Sequence, residues 1–112
     1  MSELYAPAAG DEALAKKVKF PDGTHAFVRR VGGDEIFEMI SMDEITDKAE
    51  RSRRFWCWLL SDGDGNRIHA ELTDEARLEL RLWRPAKVMQ LIGEGIAFNE
   101  LEAEQPGFQT PS

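Results

Sequence analysis

The sequence has a single cysteine, Cys57, only two histidines, His25 and His69, and no apolar run long enough to cross a bilayer. One thiol cannot close an intramolecular disulfide, so the fold needs none, which suits a reducing compartment. Two isolated histidines offer no metal-ligand spacing. Basic residues are outnumbered 21 to 14 by acids, for a formal net charge of -7. That balance speaks against nucleic acid and against anionic membranes as partners, since both are bound through concentrated Lys and Arg. The one short basic cluster, Arg51, Arg53 and Arg54, reads as a solvated helix face balancing nearby acids. The opening MSELYAPAAGDEAL has no basic segment followed by an apolar one, so no signal peptide is expected. The expectation is a soluble intracellular protein. Internal repeats and low-complexity tracts are also missing.

What the sequence does contain is concentrated. With 112 residues, 42% of them hydrophobic and 31% charged, it has room for one small domain with a core and a well-solvated surface. The densest apolar stretch, Phe55 to Leu60, holds two of the three tryptophans, Cys57 and two leucines, and breaks into the acidic, glycine-rich turn Ser61 to Asn66. Burying such a run is strongly favourable, so the flanking segments are expected to pack around it. The expected organisation is a flexible lead-in over 1–16, a single domain over 17–101 and a flexible tail over 102–112.

Within the domain, Lys17 to Phe20 alternates polar and apolar, Pro21-Asp22-Gly23 supplies a turn, and Thr24 to Val31 is rich in strand formers. This predicts a β-hairpin closed by Gly23 at positive φ. Asp34 suits a helix N-cap, with Ile36, Phe37 and Ile40 following. Ser41-Met42-Asp43-Glu44 matches a capping box, which predicts a helix from about Asp43 to Ser61. Asp62 to Asn66 is the strongest turn signal, and Arg67 to His69 suits a short extended piece. Between Asp74 and Trp83 two periods compete. Leu78, Leu80 and Leu82 alternate as in a strand, while Ala76, Leu80 and Trp83 follow a helix. A cap at Thr73 or Asp74, the acidic start and the basic end favour helix. Pro85 suits the first turn of a last helix carrying Val88, Leu91, Ile92, Ile96 and Leu101. The expected fold class is α+β: an N-terminal β-hairpin packed on three to four α-helices, mainly helical.

Chemistry-bearing patterns are few. Asp62, Asp64 and Asn66 take the first, third and fifth positions of a calcium loop, but Arg67 stands where such a loop needs glycine and Thr73 where it needs glutamate. Cys57 lies between tryptophans in an apolar helix, where a thiol is ordinarily packing rather than a nucleophile. Gly93-Glu94-Gly95 lacks the strand and third glycine of a dinucleotide fingerprint. No catalytic residue, metal ligand or cofactor is expected. What remains is charge pattern: six acids and no base between Asp34 and Asp47, and four acids and no base after Lys87. Candidate partner-binding positions are therefore Asp34, Glu35, Glu38, Asp43, Glu44 and Glu94, with Gly93 and Gly95 as sites where another backbone could approach closely.

Three segments carry a resemblance. VKFPDGTHAFVRRVGGDEIFEM is similar to the opening hairpin of the tail assembly chaperones of long-tailed, siphovirus-type bacteriophages and prophages. SDGDGNRIHAELTDEARLEL resembles their aspartate-glycine turn and following helix. RPAKVMQLIGEGIAFNEL resembles their proline-initiated closing helix, ending in an Asn and Leu pair. Together they span about residues 17–101, and the match lies in order and spacing rather than in any catalytic motif. The resemblance implies a non-enzymatic factor in the host cytoplasm that binds the tape measure protein, helps bring tail tube subunits to it, self-associates and is absent from the mature virion. It also implies a longer, frameshifted form. The alternative from another class is a small acidic adaptor or regulatory module.

Overall fold

The computed structural model describes residues 13–101. Strand β1 (Ala15–Lys19) and strand β2 (His25–Arg29) form the expected hairpin, with Val18 opposite Ala26 and Lys16 opposite Val28. β1 begins at Ala15, two residues ahead of the expected domain start at Lys17. Gly23 closes the turn at φ +93°, as expected. Asp22 holds the turn from the side: its Oδ1 accepts from the backbone N–H of Thr24 at 3.0 Å and from the Thr24 hydroxyl at 2.6 Å. Lys87 Nζ lies 2.6 Å from its Oδ2.

The chain then makes a 3-10 turn over Gly33–Glu35 and enters helix α1 (Ile36–Met42). Asp34, expected as the N-cap, lies inside that turn. The cap is Gly32, whose N–H donates to Glu35 Oε1 at 2.7 Å. Helix α2 (Lys48–Leu59) follows after a break, so the helix expected from Asp43 to Ser61 is shorter at both ends. Asp47 is its N-cap, accepting from the N–H groups of Ala49 and Glu50 at 3.0 and 3.3 Å. Ser41 caps nothing; it sits in the last turn of α1.

At its C-terminal end α2 passes directly into strand β3 (Leu60–Ser61), which pairs antiparallel with β2 through Phe27–Ser61 and Val28–Leu60. The expected hairpin is therefore a three-stranded sheet of order β1-β2-β3. The acidic turn after β3 returns the chain so that Arg67 bridges back to Ser61. Asp62 Oδ1 accepts from the N–H groups of Asp64 and Asn66 at 2.8 and 3.0 Å. Those two donors hold the Asp62 carboxyl below its ordinary pKa. Gly65 is required twice over here: its φ is +85°, and a Cβ would come within 2.7 Å of the Leu14 carbonyl oxygen.

Residues 74–82 settle as helix, with Trp83 as the extended C-cap. Helix α3 (Asp74–Leu82) is capped by Thr73, whose hydroxyl accepts from the Ala76 N–H at 3.2 Å. Helix α4 (Pro85–Asn99) starts at Pro85, as expected, and ends with Glu100 at φ 54°, the left-handed turn that lets the Leu101 N–H reach the Ile96 carbonyl. Asn99 ties this end to the sheet: its amide donates to the carbonyls of Arg29 and Gly95 and accepts from the Val31 N–H. The fold is thus α+β, a small sheet and four helices around one core.

The core is organised on Phe55 to Ser61, seven consecutive buried residues. A helix can be buried all round only if its faces meet several different elements, and that is what happens. Trp56 packs edge-on against Trp83, with ring centroids 5.5 Å apart. Trp58 stacks on Phe55 and donates through Nε1 to Glu38 of α1 at 3.1 Å. Cys57 faces the segment after the acidic turn, its Sγ 3.7 Å from the His69 carbonyl oxygen. Leu59 meets α4 at Gly95. Among the described residues no helix is long and apolar enough to cross a membrane.

Candidate functional site

On α1 apolar side chains and acids are left to solvent together, as they are on α3, where Leu78 and Leu82 are exposed beside Asp74 and Glu75. Of its seven residues only Met39 is buried. Phe37 is 70% exposed and Ile40 47%. Exposed acids lie before, on and after the helix: Asp34, Glu38, Asp43 and Glu44. A single bulky apolar group in water is ordinary; two on one short helix among acids mark a surface that could take a partner.

The helix has a cleft on each side. The larger, about 580 Å³, runs between α1, α2 and the segment after the acidic turn, and is lined by Glu38, Met42, Cys57, Trp58, Arg67 and Leu72 among others. The smaller, about 160 Å³, lies between α1, α2 and α4, and Met39, Met42, Phe55, Met89 and Ile92 line it.

A buried arginine anchors α1 to the sheet. Arg29 is 5% exposed. Its Nε donates to the Trp58 carbonyl at 2.6 Å and its Nη1 to both Glu35 oxygens at 3.1 and 2.9 Å, while its guanidinium lies 5.3 Å from the Trp58 ring centroid. A buried cation needs this degree of pairing to be tolerated. Burial pushes the Glu35 carboxyl up, but the Gly32 N–H and the Arg29 guanidinium outweigh it and hold the group below its ordinary value. Nothing in the sequence singled out Arg29, because HAFVR reads as a strand with its arginine in solvent.

The candidate positions therefore separate. Asp34, Glu44 and Gly93 are exposed, and Glu38 is exposed while bound to Trp58. Asp43 is exposed with Arg51 at 3.9 Å. Glu35 is half-buried on Arg29 and serves the fold. Glu94 is half-buried, its carboxylate 2.8 Å from Lys16 Nζ of β1. Gly95 is a correction: it is buried, and a Cβ there would lie 2.7 Å from Leu59 Cδ1. The close approach that Gly95 permits is used inside the molecule, between α4 and α2, and is not open to a partner. Asp34, Glu38, Asp43 and Glu44 share one end of the molecule around α1; Gly93 and Glu94 belong to α4.

The other chemistry-bearing residues have local partners. The Cys57 thiol meets no imidazole: the His69 ring pairs with Glu79 at 2.6 Å and lies against Trp56, and the His25 ring lies against Phe27. Asp62 spends its carboxylate on backbone N–H groups, and among the described residues no three His, Cys, Asp or Glu side chains cluster as metal ligands would.

With this geometry in view, comparison with known proteins gives one likeness. The structure is similar to that of the bacteriophage HK97 tail assembly chaperone, with a TM-score of 0.52 and 18% sequence identity over 88% of this chain and 98% of that one. The chain thus has the fold of a phage tail assembly chaperone. No protein-family model matches the sequence, and no curated protein matches it.

Proposed function

We propose that this protein is a tail assembly chaperone of a long-tailed phage or prophage, a non-enzymatic factor that holds the tape measure protein and helps bring tail tube subunits to it. The observation that carries this reading is the fold likeness to the HK97 chaperone over nearly the full length of both chains. The α1 surface supports it, because exposed Phe37 and Ile40 among acids suit reversible contact with a protein segment better than they suit catalysis. On this reading the protein acts in the host cytoplasm, self-associates along its client and is left out of the finished virion.

Co-expression with a candidate tape measure protein, followed by pull-down and multi-angle light scattering, tests the proposal. The expected result is a complex carrying several copies of this chain per client. A strict monomer that recovers no client would overturn it and leave a small acidic adaptor as the reading.

A further inference from the structure

The smaller cleft has an unusual lining. The chain has four methionines, and three of them, Met39, Met42 and Met89, meet there with Phe55 and Ile92. They come from two helices far apart in sequence, α1 and α4. Met89 stands at the lip, 67% exposed. Methionine is unbranched and polarizable, so a surface built from it re-packs around differently shaped apolar groups at little cost.

Size narrows the occupant. At about 160 Å³ the cleft is below the range of cofactor or small-molecule sites, roughly 300–1,000 Å³. It matches an apolar cavity of about 150 Å³ that accepts a benzene-sized guest. One Leu or Phe side chain fills it. A chain presenting such a group over an apolar surface must satisfy its own backbone, which a helix does.

Charge narrows it further. Asp43 stands on the cleft's rim. Asp34 and Glu44 flank the same helix, and no Lys or Arg lies between Asp34 and Asp47. Arg51 also lines the cleft, 3.9 Å from Asp43, so that pair is balanced and the negative excess comes from the exposed Asp34, Glu38 and Glu44 of the α1 region. A basic partner is favoured over an acidic one, in orientation and in encounter rate.

Resting on the chaperone reading above, we infer that this cleft seats one Leu- or Phe-sized anchor from a basic amphipathic helix of the client. The acids around α1 orient the helix, and the methionines adapt to successive anchors along it.

The test uses the full chain labelled at its methionine methyl groups and followed by NMR. The probe is a synthetic helical peptide of about 20 residues, long enough to hold a helix, with leucines on one face and lysines on the other. The signals of Met39, Met42 and Met89 are expected to move. A second peptide with glutamates replacing the lysines is expected to leave these three in place. Met89→Glu, at an exposed helical position, is expected to weaken the basic peptide by about tenfold, the loss of one buried anchor. Because this substitution makes the protein more negative, such weakening cannot come from lost attraction. Unmoved methyl signals, or equal binding by Met89→Glu and the parent chain, would overturn the cleft. The two proposals fail separately. Methyl shifts with no tape measure complex would sink the chaperone reading alone, and a complex indifferent to Met89→Glu would sink the cleft alone.

Discussion

The last turns of α2 and the whole of α1 lie side by side, joined by the hydrogen bond from Trp58 to Glu38, yet they treat their apolar residues in opposite ways. From Phe55 to Ser61 every residue is buried. In α1 Met39 alone is buried, and Phe37 and Ile40 face water. Stability and availability are thus divided between adjacent helices. The α2 end is a hub that the sheet, α3 and α4 all pack on, while α1 is attached through Met39, the partly buried Ile36 and Met42, the Trp58–Glu38 bond and the Arg29–Glu35 pair, which leaves Phe37 and Ile40 facing water. The proposed role would need such a division, because residues committed to the core cannot also meet a partner.

The sharpest break in this comparison is Trp58→Ala. It removes a fully buried indole that touches Phe55, Arg29 and Glu38, and should cost about 3–5 kcal/mol in urea unfolding. A loss under about 1 kcal/mol would mean that the hub tolerates cavities and is no hub.

Two glycines in α4 provide the next contrast. Gly95→Ala drives a Cβ into the methyls of Leu59, itself fully buried, and overpacking of this kind costs typically about 1–3 kcal/mol, partly offset by better helix propensity. Gly93→Ala meets nothing within 4 Å and should stabilise by about 0.5–1 kcal/mol. Unfolding midpoints that shift in the same direction for both would remove the distinction between a packed and an open glycine.

A smaller effect is pH-dependent. Glu50 of α2 is held by two hydrogen bonds from Arg77 of α3, at 3.0 and 2.7 Å, which lower its pKa from 4.5 to about 2. A carboxyl whose folded pKa is depressed stabilises fully above its unfolded value and ceases to as pH falls through the folded one. Glu50→Gln should therefore destabilise at neutral pH, by about 1 kcal/mol at most because solvent screens the pair. That difference should shrink between pH 4.5 and 2. A gap between variant and parent that stays constant over this window would show that the ion pair contributes nothing.

Smallest of all is the effect expected on α1. Phe37→Ser should change stability by no more than about 0.5 kcal/mol, since its ring is largely in water already. A drop comparable to that of Trp58→Ala would place Phe37 in the core and abolish the contrast between the two helices.

Much of this was legible in the sequence wherever the cause is local. Gly23 takes the positive φ its turn demands, Thr73 caps α3, Pro85 opens α4, and Phe55 to Leu60 is buried as its density requires. The competing periods of residues 74–82 resolved to helix because the Thr73 cap and the charge gradient act on the backbone directly, whereas among the described residues no strand pairs with that segment. The candidate acids around α1 were visible as a run without bases. Three features were not visible. Two residues of β3 carry no period of their own and exist only because β2 is there to pair with them. Ser41 and Glu44 match a capping box in sequence, yet the chain caps α2 with Asp47. Gly95 looks as free as Gly93, and only the arrival of Leu59 separates them.

The sequence by itself determined the turns, the starts of α3 and α4, the identity of the core run and the acidic character of the surface, because each follows from a residue's own dihedral preference, hydrogen-bonding groups or hydropathy. Only the tertiary structure decided which glycine is buried, that Arg29 is a core cation paired with Glu35, and that three methionines converge on one cleft beside α1. Those outcomes depend on contacts between segments up to 50 residues apart in the chain (Met39 and Met89), and no local preference encodes a neighbour that distant.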